Sequence, residues 1–172
     1  MGLSVQRVHV ASDPEEGMKM LVNLYIECST RNLRKVKRRC GYVLECETKN
    51  GLRTKEIFFE SEDTYHGITL RAIADGLKRV KPGNEVSVYV ANEFIVNSFC
   101  KDMETWKENG FTNKNGKPVK NKDKWETLLD SMKDKEVNVN VAGSHQYSTW
   151  LMSEMWKREV TNIDSLAEIQ ME

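Results

Sequence analysis

In the first third of the chain, apolar residues fall in short runs separated by polar turns. Residues 18–27 contain a nearly continuous apolar run, which is typical of a strand covered on both faces of a sheet. Residues 40–46 and 57–59 repeat the pattern, and Asn50-Gly51 between them is a strong hairpin signal. The pattern predicts three strands joined by short turns.

The next segment changes to helical spacing. Thr64 is a good helix cap, and four apolar residues recur after it at positions i, i+3, i+4 and i+7: Leu70, Ile73, Ala74 and Leu77. Pro82-Gly83 ends this helix, and alternating valines predict a fourth strand over 86–90.

The second half of the chain alternates in the same way. Residues 93–99 and 125–132 have helical spacing, and a loop rich in Lys, Asn and Gly separates them over 110–121. Residues 137–141 predict a fifth strand, and a last helix is expected to begin at Ser148 or Thr149. The order predicts an α/β fold with three α/β/α layers, in which helices cover both faces of a five-stranded mixed sheet.

Length and composition indicate one globular domain. The chain has 172 residues, of which 39% are hydrophobic, enough to bury a core. We expect the core over about residues 18–156, a polar lead-in over 1–17 and a helical tail over 157–172. Lys plus Arg and Asp plus Glu both number 26, so the net charge indicates no partner, and a nucleic-acid signal has to come from the charge distribution.

Several classes of protein are disfavoured. No apolar run approaches the ~20 residues that a membrane span needs, and the first residues lack the features of a signal peptide. The four cysteines form no Cys-x-x-Cys pair, which disfavours zinc and redox motifs: Cys28, Cys40, Cys46 and Cys100. We therefore expect free thiols, no membrane partner and a cytoplasmic location.

Local sequence resembles a known family. The segments Trp106–Phe111 and Gly116–Trp125 are similar to the basic protrusion of ribonuclease H type 1 and the helix after it. Residues 88–97 resemble the strand-to-helix junction of that family, and residues 64–70 resemble the start of its first helix. Together with Gly41-Tyr42 in the second strand, they imply an RNase H-like fold.

The resemblance implies a changed active site. The family cleaves the RNA strand of RNA–DNA hybrids with two magnesium ions held by four carboxylates. At those four positions this chain has Glu27, Thr69, Ala91 and Glu154. Two of the four carry no carboxylate, so we expect nuclease activity to be lost or strongly reduced. If the chain is active, Mg or Mn would be held by Glu27 and Glu154.

Neighbouring positions also differ from the family. Its loop histidine corresponds to His145, shifted by one residue, and Tyr65, His66 and Glu93 replace Asn and Gln side chains that grip the hybrid.

Basic residues cluster in two places beside the active-site cleft that the resemblance implies. Residues 30–39 form the first cluster and the protrusion forms the second. The candidates for nucleic-acid contact are Arg34, Lys35, Lys37, Arg38, Lys107, Lys117 and Lys120. The alternative for residues 30–39 is a solvated hairpin edge, where positive charges prevent strand pairing.

Three functions stay open from the sequence. The first is a non-catalytic module that binds an RNA–DNA hybrid or duplex RNA. The second is an active divalent-metal ribonuclease with a rebuilt site. The third is a protein-interaction scaffold, because a fold alone does not determine function.

Overall fold

The structure is a computed structural model that describes residues 19–162. Its sheet has the order β5-β4-β1-β2-β3-β6. The strands are β1 (Leu21–Cys28), β2 (Val36–Thr48), β3 (Gly51–Asp63), β4 (Glu85–Val90), β5 (Glu136–Val141) and the two-residue β6 (Thr161–Asn162). The predicted five strands and α/β class are confirmed, and β6 is an addition at the edge.

Strand β1 lies inside the sheet and sets its mixed character. It pairs antiparallel with β2 and parallel with β4. Helices pack on both faces of the sheet at β1, which explains its continuous apolar sequence. Because β1 and β4 are parallel, their carboxyl ends meet at the same edge of the sheet.

Helix α1 (Tyr65–Lys78) packs closely on one face of β1. Thr64 caps it as predicted, with its side-chain oxygen accepting a hydrogen bond from the Gly67 N–H at 3.0 Å. A Cβ at Gly76 would lie 2.7 Å from a methyl group of Leu24, so glycine allows this close approach. The helical face Leu70, Ile73 and Leu77 is fully buried.

Three helices follow between β4 and β5: α2 (Glu93–Lys101), α3 (Met103–Asn109) and α4 (Lys122–Ser131). The protrusion between α3 and α4 is held at its base by aromatic packing. The ring of Trp106 meets that of Trp125 edge-on, with centroids 5.3 Å apart. Trp125 is buried, so these tryptophans are part of the core.

Helix α5 (Ser148–Glu154) covers the opposite face of the sheet. Side chains alternate along a strand, and Tyr42 on β2 contacts Asp75 of α1. Its neighbour Gly41 therefore points to the other face, where a Cβ would lie 3.3 Å from Leu151 of α5. The expected helices on both faces are confirmed.

The predicted boundaries of β2, of β3 and of the C-terminal tail need correction. Strands β2 and β3 are longer than residues 40–46 and 57–59, so residues 36–39 of the basic stretch belong to a strand and not to a loop. The helical tail is wrong for residues 157–162: α5 ends at Glu154, and Thr161 pairs with Phe59 of β3. An unpaired edge of β3 gives this segment main-chain partners that a helix could not use. The lead-in and residues 163–172 lie outside the described residues.

Among the described residues, no helix is both long and apolar enough to cross a membrane.

Arg38 lies on β2, and its buried side chain fills the centre of the turn that follows β1. It is 2% exposed, and its guanidinium donates to three main-chain carbonyls. These are Asp63 O at 3.0 Å, Thr30 O at 2.8 Å and Arg34 O at 2.5 Å. The side chain holds the turn against the end of β3 and is not available to a ligand. The prediction that Arg38 contacts nucleic acid is therefore wrong.

We predict that Arg38→Ala destabilises the fold by about 3 kcal/mol, because three charge-assisted hydrogen bonds are lost and a cavity remains. Arg38→Lys should recover little, since one ammonium cannot reach three carbonyls spread around a planar guanidinium. Urea unfolding measures both, with Arg34→Ala as the matched control on an exposed side chain. Equal stability of Arg38→Ala and Arg34→Ala would contradict this account.

Candidate functional site

A shallow pocket opens where β1 and β4 end side by side. Residues from both strands and from the first turns of α1 surround it: Ile26, Glu27, Cys28, Tyr65, Thr69, Val90 and Ala91. Three of the four sequence-predicted positions, Glu27, Thr69 and Ala91, are therefore brought together.

Glu27 is the carboxylate of this pocket, and protein groups surround it. Its side chain is 5% exposed. The Ser148 hydroxyl donates to Glu27 Oε2 at 2.5 Å, and His145 Nε2 lies 3.3 Å from the same oxygen. Arg31 Nη2 lies 3.7 Å from the other oxygen, Oε1. The buried negative charge is thus compensated by groups of the chain itself.

The loop before α5 fixes the histidine that meets Glu27. His145 Nδ1 accepts a hydrogen bond from the Tyr147 N–H at 3.2 Å. The proton therefore sits on Nε2, which faces Ile26 O at 3.2 Å as well as Glu27. The loop is anchored by buried Glu45, whose Oε2 accepts from Gln146 at 2.9 Å and from the Tyr147 hydroxyl at 2.7 Å. His145 is a positioned residue of the site and not an ordinary loop residue.

Hydrogen bonds between neutral groups surround Thr69, the second of the four positions at which the family has a carboxylate. The Thr69 hydroxyl donates to Tyr65 O at 2.7 Å and accepts from Asn92 Nδ2 at 3.1 Å. The Asn92 amide also lies 3.0 Å from His66 Nδ1, and its oxygen caps α2 through the Ile95 N–H. Thr69 is buried and fully used by these partners. Next to it, Ala91 contributes no polar side-chain atom.

Glu154 does not reach the pocket. It forms ion pairs with Arg158 at 3.0 Å and Lys157 at 3.7 Å, and Arg158 stacks over Phe58 of β3. The residue of α5 that meets Glu27 is Ser148, six positions earlier and about 9 Å away along the helix axis. The sequence prediction of Glu154 as a remnant carboxylate beside Glu27 is therefore wrong.

Apart from Arg38, the basic residues predicted to contact nucleic acid are exposed. Lys37 pairs with Glu60 at 3.5 Å, and Lys107 pairs with Glu104 at 3.2 Å, so both are partly neutralised. Four others lie on the surface and form no ion pair with any of the described residues: Arg34, Lys35, Lys117 and Lys120.

Lys120 of the protrusion lies close enough to His66 for its charge to act on the imidazole. The pKa of His66 is lowered, first by burial and then by the positive charge of Lys120, while the hydrogen bond with Asn92 opposes both. His66 is in turn stacked on Phe94 of α2, with centroids 4.4 Å apart. The basic protrusion therefore lies near His66, which Asn92 joins by hydrogen bonds to Thr69 of the pocket.

Comparison with known proteins decides the family. The RNase H family model matches residues 19–168 of the chain, which includes every element described above. The chain belongs to the RNase H family. The resemblance seen in the sequence is confirmed.

Several curated relatives of this RNase H family member are bacterial ribonucleases H. The ribonuclease H of Neisseria gonorrhoeae (strain ATCC 700825 / FA 1090) is 31% identical over 119 residues, which cover 68% of this chain and 75% of the relative. Other relatives match over shorter segments, such as the ribonuclease H of Thermoanaerobacter sp. (strain X514), 32% identical over 81 residues. That segment covers 46% of this chain, and the chain spans about half the length, 52%, of that relative.

Solved structures share the fold at low identity. LC9-RNase H1, a type 1 RNase H with the type 2 active-site motif, has a TM-score of 0.65 and 15% identity, covering 82% of this chain and 74% of that one. The foamy viral protease–reverse transcriptase in complex with RNA/DNA hybrid has a TM-score of 0.54 and 16% identity over 79% of this chain and 20% of its own.

The RNase H family generally uses divalent metal, and the residues of this pocket do not fit such ions. Two adjacent divalent ions need several carboxylates for charge compensation. Glu27 is already held by Ser148, His145 and Arg31, and a hydroxyl and a methyl group stand beside it. Within residues 19–162, no group of three or more His, Cys, Asp or Glu side chains is placed to hold a metal ion.

The environment of His66 gives a pH dependence of stability. Because burial and Lys120 disfavour the protonated imidazole, the unfolded chain takes up this proton more readily than the folded chain. We predict that this contribution to stability is intact above about pH 7 and falls as the pH drops through ~6.5, the ordinary value for histidine.

Urea unfolding of the wild type and of His66→Gln at pH 7.5 and 5.5 measures this contribution. The wild type should lose more stability than the variant between the two pH values. Equal losses would show that His66 titrates normally in the folded protein.

Proposed function

We propose that this RNase H family member binds nucleic acid, with RNA–DNA hybrid or duplex RNA as the ligand, and that its metal-dependent cleavage is lost or strongly reduced. One observation carries the proposal: the buried carboxylate of Glu27 is held by Ser148, His145 and Arg31 in a pocket that otherwise offers neutral groups. Such a pocket offers one carboxylate, and that carboxylate is already engaged by groups of the chain itself.

Binding is supported by the surface around the pocket. The protrusion carries Lys117 and Lys120, and the turn after β1 carries Arg34 and Lys35, all of them exposed. Attraction between such residues and phosphates provides affinity that does not depend on sequence. The foamy viral neighbour was solved with an RNA/DNA hybrid, and we extend this ligand class to the present chain as a proposal.

We predict that the chain binds a labelled RNA–DNA hybrid or duplex RNA with steep salt dependence. Four phosphate contacts would weaken binding roughly a hundredfold between 50 and 200 mM salt. Fluorescence anisotropy with hybrid, duplex RNA and duplex DNA at both salt concentrations measures this. Absence of binding to all three at the lower salt would contradict the proposal, and a partner protein that co-purifies despite nuclease treatment would favour a scaffold.

A charge-matched pair of variants locates the binding surface. Lys117→Glu with Lys120→Glu should abolish most of the affinity. Lys81→Glu with Lys133→Glu changes the net charge equally, but these residues flank the Gly83–Asp134 contact at the opposite end of β4 from the pocket. The control should keep most of the affinity, and equal losses would indicate non-specific attraction only.

Restoring the carboxylates tests whether cleavage was lost through charge alone. We predict that a variant with Glu27→Asp, Thr69→Glu, Ala91→Asp and Ser148→Asp is less stable without metal, because like charges crowd one pocket. Magnesium or manganese should then raise its melting temperature and permit hybrid cleavage. The same ions should leave the wild-type melting temperature unchanged. Metal-dependent cleavage by the wild type that disappears in Glu27→Ala would contradict the proposed loss.

A further inference from the structure

Arg31 is a cationic side chain that reaches the pocket itself. Its Nη2 atom lies 3.7 Å from Glu27 Oε1 and donates to Gly143 O at 3.1 Å. The side chain is 53% exposed, so one edge of the guanidinium faces the buried carboxylate and the rest faces solvent. Its charge also acts on Tyr65, another lining residue: burial raises the pKa of Tyr65 to about 12, and Arg31 opposes that rise.

We propose that Arg31 takes the place of the divalent ions at this pocket and binds a backbone phosphate of the nucleic acid without metal. This inference rests on the nucleic-acid binding proposed above and specifies how the pocket takes part in it. The ligand group is a phosphodiester anion.

The charges of the pocket explain why a cation is needed there. A phosphodiester that approaches Glu27 meets a like charge in a site where water screens it poorly. A guanidinium placed between them compensates both anions. It is planar, always charged and carries five N–H donors, and its fork matches two phosphate oxygens.

The turn that carries Arg31 is rigidly built. Buried Arg38 donates to Thr30 O on one side of Arg31 and to Arg34 O on the other. The side chain of Asn32 accepts from the Arg34 N–H at 2.8 Å, and that of Thr30 accepts from the Asn32 N–H at 3.2 Å. Arg31 is therefore held in place before a ligand arrives, which lowers the entropic cost of binding.

The inference makes Glu27 a residue that opposes binding. In a metal-dependent site, removal of its charge weakens the ions and the ligand they hold. Here Glu27 competes with the phosphate for Arg31, so the neutral variant Glu27→Gln should bind more tightly. The sign of this change separates the two accounts.

The test measures hybrid binding by fluorescence anisotropy, in EDTA and in magnesium, for the wild type, Arg31→Ala, Arg31→Lys and Glu27→Gln. We expect wild-type affinity to be the same in both buffers. Arg31→Ala should bind about tenfold more weakly, with the slope of log affinity against log salt reduced by about 1. Arg31→Lys should fall between the two, and Glu27→Gln should bind several-fold more tightly than the wild type.

Arg53→Ala is the matched control. Arg53 is exposed on β3, where it lies opposite Cys46 of β2, away from the pocket. Urea midpoints of all variants verify that they fold. The inference is overturned if Arg31→Ala binds as the wild type does. It is also overturned if EDTA abolishes binding and Glu27→Gln weakens it. A wild type that binds no nucleic acid in either buffer overturns the proposed function as well.

Discussion

A negative charge buried at the end of a central strand has to be compensated, and much of this site follows from how that is done. Glu27 is almost fully removed from solvent. An unpaired carboxylate in such a buried place would cost several kcal/mol. Ser148, His145 and Arg31 each approach one of its oxygens. These contacts draw together the start of α5, the loop before it and the turn after β1. In a metal-dependent nuclease such a carboxylate would bind metal. Here it accepts contacts from three segments of the chain and joins them.

Neutral residues beside Glu27 are joined to one another by hydrogen bonds. Thr69, Asn92 and His66 form a linked set of neutral hydrogen bonds across the start of α1 and α2. A buried polar group is stable only if its partners are present, and here each has them. The pocket therefore combines hydrogen-bonded neutral groups with one carboxylate, while the fold that surrounds it is the RNase H fold.

Much of the architecture could be predicted from local pattern. The apolar run of β1, the Asn50-Gly51 turn and the Thr64 cap each correspond to an observed element. The apolar pattern predicts a second strand that begins at Cys40, which leaves Arg38 in an exposed loop. Once β2 is extended back to Val36, Arg38 shares the parity of Cys40 and Tyr42 and must face the core. The pattern contained that signal.

The site was harder to predict because it depends on distant contacts. The resemblance predicts an acid on the last helix, at Glu154. Only two residues separate His145 from Ser148, so the first turn of α5 already lies against Glu27. No periodicity shows that a serine 121 positions away donates to Glu27. The lengths of the loop before α5 and of the edge strand β6 follow from tertiary packing.

The most direct test of this account is a titration of the wild-type protein with manganese, in which electron paramagnetic resonance measures the concentration of the free ion. The account predicts no saturable binding in the sub-millimolar range, because Glu27 is engaged by protein donors and its neighbours are neutral. Saturable binding of two ions per chain, lost in Glu27→Gln, would contradict it.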